Sequence, residues 1–176
     1  MIVDTFIVNE PLALTHIISS ADILCNGNND GSANVQLNGG TQPYVYTWSG
    51  PFNYSSNSSN IDNLSGGLYT ITAVDANGCS IIDSALIVDP QLLISNIQSS
   101  DPLCHNSDDG SIVVSVSGGI TPYTSQYGSL VASNISVDSL IYSNLGTSSD
   151  TVFVYDANNC MNYHLVDIVA PSELSV

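Results

Sequence analysis

Four cysteines have the most clearly defined chemistry in this chain of 176 residues. They are Cys25, Cys79, Cys104 and Cys160. Four thiols can pair as disulfides in three ways, and such pairing is typical of extracellular proteins. A zinc ribbon would need two close pairs of cysteines, and these four lie far apart along the chain. The sequence therefore predicts disulfides, with the partners still open.

An oxygen-rich loop follows Cys25 and another follows Cys104, and each ends in an Asp-Gly pair. Calcium prefers carboxylate and amide oxygens, although neither loop has the glutamate that completes an EF-hand. Asn, Asp and Gly also form ordinary turns, so both interpretations stand. The candidate ligands are Asp30 and Asp109, with Asp75 and Asp156 as further donors. We expect no cofactor other than calcium.

The other polar residues offer no pair of nucleophile and base. His16, His105 and His164 are scattered, and no serine lies in a Gly-x-Ser-x-Gly elbow. We therefore expect no enzymatic activity. Phe52 and Tyr54, in a stretch rich in Ser and Asn, are candidates for contact with a sugar.

The charge of the chain excludes several classes of partner. It has 16 acidic residues, no Lys or Arg, and a formal net charge of −16. Nucleic-acid binding needs basic side chains to neutralise phosphate, so we expect no such partner.

No apolar run approaches the roughly 18 residues that span a membrane, so we expect no membrane insertion. The hydrophobic fraction of 43% is enough for a folded core.

An internal repeat organises these residues. The same short motifs occur in the same order in both halves of the chain, which indicates tandem copies of one domain. The matching motifs are Leu24-Cys25 and Leu103-Cys104, Asp30-Gly31-Ser32 and Asp109-Gly110-Ser111, Gly39-Gly40 and Gly118-Gly119, Pro43-Tyr44 and Pro122-Tyr123, and Asp75-Ala76-Asn77 and Asp156-Ala157-Asn158.

Each repeat has the pattern of a β-sandwich. In the first repeat, residues 33–37, 44–48, 68–74 and 81–88 are apolar or alternating runs, and Asn77-Gly78 is a hairpin signal. The fold class is therefore all-β, as tandem immunoglobulin-like sandwiches of the PKD or fibronectin III kind, with strands A, B, C, a weak C′ or D, E, F and G.

The ends of the chain extend beyond two whole repeats. We assign residues 1–11 to the last strand of a preceding repeat and 12–90 to the first complete repeat. Residues 91–171 form the second repeat, and 172–176 start a following one. We therefore expect a segment of a longer array, with any secretion signal outside it.

The first repeat has a longer series of motifs in a fixed order. They are Cys25, Asp30-Gly31-Ser32, Gly39-Gly40, Pro43-Tyr44, Thr47-Trp48, Asn63-Leu64, Gly67, Tyr69-Thr70, residues 75–79 and Pro90. This series resembles the SprB-type repeat, which fills giant cell-surface adhesins of gliding Bacteroidetes that the type IX secretion system exports. The resemblance implies an extracellular adhesin filament that a surface motor moves, with neighbouring repeats and the gliding and secretion machinery as partners.

The sandwich topology separates the possible disulfides. One cysteine of each repeat precedes the A–B turn and the other follows the F–G turn, at opposite ends, about 20 Å apart. Bridged Cα atoms lie within about 7 Å. In a head-to-tail array these ends of adjacent repeats meet, which favours Cys25–Cys160 and leaves Cys79 and Cys104 for neighbouring repeats. The alternative is pairing within repeats, as Cys25–Cys79 and Cys104–Cys160.

The resemblance also implies O-glycan sites at Asp-Ser or Asp-Thr followed by a small apolar residue. Ser84, Ser139 and Thr151 fit this pattern, and they are equally ordinary strand residues.

We expect a structural and adhesive stalk for gliding and attachment. The alternatives are a carbohydrate-binding array, with surface polysaccharide as a partner, and a subunit of a self-assembling filament.

Overall fold

The computed structural model describes residues 10–133 and 139–175, and the regular structure in these ranges is almost entirely β. They contain fourteen strands and one 3-10 turn at Pro51–Asn53. Nowhere in these ranges is there a helix with the length and hydropathy that crossing a bilayer takes. The expected all-β fold class is confirmed. The strand expected at residues 1–11 lies almost wholly outside the described residues.

The described chain divides into two compact units. The first holds residues 10–23 and 27–89, and the second holds residues 24–26 and 90–175. The short segment Leu24–Asn26 thus comes from the first repeat in sequence but is part of the second unit.

Seven strands form the first unit. Two antiparallel sheets, β1-β2-β5 and β4-β3-β6-β7, correspond to strands A-B-E and C′-C-F-G of an immunoglobulin-like sandwich. The strands are β1 (Thr15–Ala21), β2 (Gly31–Asn38), β3 (Val45–Gly50), β4 (Tyr54–Ser56), β5 (Asn60–Leu64), β6 (Gly67–Val74) and β7 (Ser80–Ile87).

The core of the first unit follows from alternation along its strands. On β6 the side chains of Tyr69, Ile71 and Ala73 are buried, because residues two apart in a strand face the same side. Trp48 on β3 is fully buried, and its indole N–H donates a hydrogen bond to the Ser58 carbonyl at 3.0 Å. The ring of Trp48 is thus buried in this core while its N–H keeps a hydrogen-bond partner.

Seven further strands form the second unit with the same connections. Its sheets are β12-β9-β8 and β11-β10-β13-β14, again in the order of strands A, B, E and C′, C, F, G. The strands are β8 (Ile94–Ser100), β9 (Gly110–Ser117), β10 (Thr124–Tyr127), β11 (Leu130–Ser133), β12 (Ser139–Leu145), β13 (Ser148–Tyr155) and β14 (Met161–Ile168).

The second core is filled by different side chains. Tyr127 takes the place of Trp48, and the position of Tyr69 is held by the exposed Asp150. The missing ring is supplied from β12 by Tyr142, which is 5% exposed and tilted against Tyr127 with centroids 5.9 Å apart. A large buried aromatic pair, Tyr127 and Tyr142, is therefore present in this core.

Candidate functional site

A buried carboxylate organises one end of the first sandwich. Asp75, in the turn between β6 and β7, is 5% exposed. Its Oδ2 accepts a hydrogen bond from the Thr41 N–H at 2.9 Å. Its Oδ1 accepts from the N–H groups of Asn77 at 2.9 Å and Cys79 at 2.8 Å. Asp75 therefore fastens the loop after β2 to the β6–β7 turn.

These hydrogen bonds favour the charged form of Asp75. The backbone N–H of Thr41 makes the largest contribution, and burial opposes it, with the net result that the pKa of Asp75 lies below its usual value. The carboxylate already accepts three protein N–H groups. This arrangement explains the Asp-Ala-Asn motif as a turn with an internal anion.

The second sandwich repeats the arrangement. Asp156 is also 5% exposed, and its Oδ2 accepts from the Ile120 N–H at 2.9 Å. Its Oδ1 accepts from the N–H groups of Asn158 and Cys160, both at 2.9 Å. The two copies of the motif thus have one structure despite the change from Thr41 to Ile120.

The Gly-Gly motif belongs to the same cluster. Gly39 has φ of +73°, and a Cβ there would lie 2.0 Å from the Ala13 carbonyl oxygen, so no other residue fits without a shift. Gly118 has φ of +68° and the same conflict at 1.9 Å with Leu92. The Tyr123 hydroxyl donates to the Gly118 carbonyl at 2.7 Å, as Tyr44 does to Gly39. The bonds Gln42–Pro43 and Thr121–Pro122 are cis.

A disulfide joins Cys25 to Cys160, with Cα atoms 5.5 Å apart. It lies in the second compact unit, because Leu24–Asn26 belongs to that unit. Two amide hydrogen bonds accompany it. Asn158 Nδ2 donates to the Leu24 carbonyl at 2.9 Å, and Asn26 Nδ2 donates to the Pro90 carbonyl at 2.8 Å.

The other two cysteines carry no disulfide. Cys79 and Cys104 are both exposed and free. The structure thus forms the pairing between repeats and neither of the pairings within a repeat. The physical reason is the one drawn from the topology, since the A–B loop and the F–G turn of one sandwich lie at its opposite ends.

The candidate calcium ligands lie in exposed loops. Asp109 Oδ1 accepts from the Leu103 N–H at 3.1 Å and also from the Ser107 hydroxyl. The Ser107 hydroxyl is the main cause that lowers the pKa of Asp109. Asp30 is likewise exposed. In the described ranges, no group of three or more His, Cys, Asp or Glu side chains converges on a metal-sized position. Calcium binding stays a prediction.

The two candidate sugar contacts are in different environments. Phe52, with φ of +55°, is 89% exposed. Tyr54 is half-buried, and its ring meets the Tyr69 ring edge to face with centroids 5.3 Å apart. Because Tyr54 packs on the core, the structure does not present these two rings as one face. Sugar binding stays a prediction.

The candidate glycosylation residues are spread over three strands. Ser84 on β7 and Ser139 on β12 are exposed, whereas Thr151 on β13 is half-buried. The backbone N–H of Ser84 donates to Asp83 Oδ1 at 2.7 Å, and that of Thr151 donates to Asp150 Oδ1 at 2.7 Å. Each carboxylate therefore binds the residue that follows it.

One polar contact was not anticipated from the sequence. His16 Nε2 on β1 lies 2.8 Å from Asp83 Oδ2 on β7, and this contact is the main cause that lowers the pKa of Asp83. In the second unit His164 Nε2 on β14 lies 2.8 Å from the Ser95 carbonyl oxygen on β8. Alignment of the repeats pairs His16 with Ser95 and Asp83 with His164, so a histidine bridges strands A and G from opposite sides.

The model of the SprB repeat family matches two segments of the chain, residues 17–53 and 96–126. Each segment begins in the first strand of its sandwich and includes the cysteine loop, the Gly-Gly pair and the Pro-Tyr pair. No curated protein matches the chain. Each of the two sandwiches thus contains one segment that is similar to the SprB repeat.

Proposed function

We propose that this chain is a structural segment of a long extracellular adhesin filament on the surface of a gliding bacterium. The observation that carries the proposal is the match of the SprB repeat model to one segment in each of two sandwiches, each of which has a core of its own. SprB repeats are structural repeats of cell-surface proteins, and a disulfide is typical of an extracellular protein.

The proposed role is mechanical. Antiparallel sheets resist extension through their ladders of backbone hydrogen bonds, and the disulfide adds a covalent link across 135 positions. The net charge of −16 favours solubility and discourages clumping of exposed filaments. The absence of Lys and Arg leaves trypsin-like proteases no cleavage site. These properties suit a stalk that projects an adhesive part away from the cell.

Imaging of living cells tests this proposal. Fluorescent antibody fragments raised against this segment are followed on cells that produce the parent protein, with cells that lack its gene as the control. A motor-driven gliding adhesin gives surface signals that travel along the cell. Signals that stay fixed would contradict the gliding role and leave a static stalk. An absence of signal on intact cells, with signal after permeabilisation, would contradict the surface location.

A further inference from the structure

The loop at Cys104 has the same conformation as the loop at Cys25, which is in a disulfide. In each loop the two residues after the cysteine form a turn, at 26–27 and at 105–106. The second residue of each turn has a positive φ, +77° at Gly27 and +59° at Asn106. The side chain before the free cysteine, Leu103, is 81% exposed, whereas that of Leu24 is 54% exposed. Cys104 therefore lies in a preformed copy of the bonded loop.

The turn at Cys79 is likewise a copy of the turn at Cys160. The N–H of Asp75 donates to the Cys79 carbonyl at 2.9 Å, and that of Asp156 donates to the Cys160 carbonyl at 3.1 Å. The residue before each cysteine has a positive φ, +85° at Gly78 and +63° at Asn159. The buried carboxylate holds both turns in this shape.

The bonded pair shows how a loop and a turn of these two kinds fit together. Beside the disulfide, the amide of Asn158 donates to the Leu24 carbonyl. The residue equivalent to Asn158 is Asn77, whose amide donates instead to Thr41 Oγ1 at 2.9 Å. The residue equivalent to Leu24 is Leu103. The chain thus carries one further loop and one further turn with the groups that the bonded pair uses.

We propose that the Cys104 loop and the Cys79 turn are complementary docking surfaces for a second SprB repeat. The occupant to which we commit is another copy of this chain, in which Cys104 of one copy bonds to Cys79 of the next. Because loop and turn are different surfaces, the contact is head-to-tail. Each copy can therefore bind one copy through its loop and another through its turn.

Oxidation of the two thiols completes the junction. Cys104 and Cys79 lose two protons and two electrons as the Sγ–Sγ bond forms. A small-molecule disulfide such as oxidised glutathione accepts both and leaves as two thiols. One of the two cysteines first forms a mixed disulfide with glutathione. The thiolate of the other cysteine then displaces the glutathione thiol and forms the Cys104–Cys79 bond.

The proposal deepens the proposed stalk function and rests on it only for its biological setting. Adjacent repeats of a long filament would use the same loop and turn. A test with purified chain is independent of the imaging of cells, so the two proposals can fail separately.

Two single variants give a directional test. Cys79→Ser keeps only the loop cysteine, and Cys104→Ser keeps only the turn cysteine, while both retain the Cys25–Cys160 disulfide. Oxidised glutathione is added to each variant by itself and to an equimolar mixture of the two variants. One of the two variants is labelled with ¹⁵N. Non-reducing gels and intact mass then give the rates at which heterodimers and homodimers form.

We expect the heterodimer to form at least about tenfold faster than either homodimer, because only that pair can dock before oxidation. A peptide digest made with a protease other than trypsin should contain Cys79 joined to Cys104. Heterodimers and homodimers in the ratio that random collision gives would overturn the proposal, as would the absence of any dimer.

A third variant tests docking apart from thiol chemistry. Asn77→Ala, added to the Cys104→Ser copy, removes the amide that would donate to the Leu103 carbonyl, and should slow heterodimer formation roughly two- to tenfold. Asn57→Ala, at an exposed position between β4 and β5, is the matched control and should leave the rate unchanged. Equal rates for the two variants would contradict docking through this turn.

Discussion

At the scale of single residues, Asp75 shows how a chain without Lys or Arg can keep a carboxylate in a nearly buried place. Its partners are backbone N–H groups, whose partial positive charges replace the missing cations. Sequence patterns predicted a hairpin turn at Asn77-Gly78 and gave Asp75 as a candidate calcium donor, which stays a prediction. Only the fold shows that Thr41, far away in sequence, supplies the hydrogen bond that lowers the pKa of Asp75 most.

Stability at low pH should depend on this carboxylate. The pKa of Asp75 is lower in the folded protein than its ordinary value of 3.8, so its contribution is fully present above that value. This contribution to the free energy of unfolding is lost as the pH falls from 3.8 through the pKa of Asp75 in the folded protein. The reason is that the Asp75 carboxylate binds a proton more tightly in the unfolded chain than in the folded one. We expect Asp75→Asn to be less stable at neutral pH and to lose less stability on acidification.

Urea unfolding between pH 7 and pH 2 measures this, with Trp48 fluorescence as a probe confined to the first unit, since the chain has one Trp. The exposed Asp62→Asn on β5 is the control for the loss of one charge. Parallel pH profiles for Asp75→Asn and the native protein would show that the carboxylate contributes nothing.

At the scale of elements, the two sandwiches fill corresponding parts of their cores with side chains from different strands. The second repeat has no ring at the β13 position of Tyr69, and Tyr142 on β12 restores it. The new hydroxyl must find a partner, and it donates to Ser125 Oγ on β10 at 2.9 Å. Ser125 is fully buried, at the position that Tyr46 holds in the first repeat. Burial also raises the pKa of Tyr142.

This pair should behave as a unit. Tyr142→Phe leaves the buried Ser125 hydroxyl without its donor and should lower the free energy of unfolding by about 1–2 kcal/mol. Ser125→Ala should have a cost of similar size. The double variant should cost less than the two single changes together, because neither hydroxyl of the pair is then left without the other. Urea unfolding followed by circular dichroism gives the three values, and strictly additive values would contradict the coupling.

At the scale of the whole molecule, the disulfide decides which part of the chain can be stretched. Cys25 and Cys160 enclose a loop of 135 positions, and strands β2 to β13 lie inside it. A pull on the two ends therefore acts on the segments outside the loop and then on the disulfide itself. Strands β1 and β14 are the only described strands that such a force can peel away while the bond is intact.

Single-molecule force spectroscopy should show this protection. With the disulfide intact, the extension gained on full unfolding should be smaller by roughly 450 Å than after reduction, which is the length of about 135 extended residues. The double variant Cys25→Ser, Cys160→Ser is the control and should extend fully without reductant. Equal extensions of the native chain before and after reduction would show that the loop is not closed.

Sequence alone determined the repeat, the all-β class and the resemblance to the SprB repeat, because these depend on local alternation and on motifs that occur twice. The Gly-Gly, Pro-Tyr and Asp-Ala-Asn motifs were visible as three separate patterns. Tertiary structure decided that they form one hydrogen-bonded cluster, since their contacts join residues far apart in sequence. It also decided the contact between His16 and Asp83, because strands A and G meet only in the folded sandwich.

The disulfide pairing also depended partly on the sequence and partly on the tertiary structure. Topology inferred from the sequence favoured Cys25 with Cys160 and kept the pairs within each repeat as an alternative. Tertiary structure decided between them, because a disulfide depends on the distance between Cα atoms, here 5.5 Å, and not on the order of residues. Likewise, alternation placed Trp48 in a core, but only the packed second unit shows that Tyr142 replaces the ring of Tyr69. Side-chain volume is conserved across strands and not position by position, so a single strand could not reveal it.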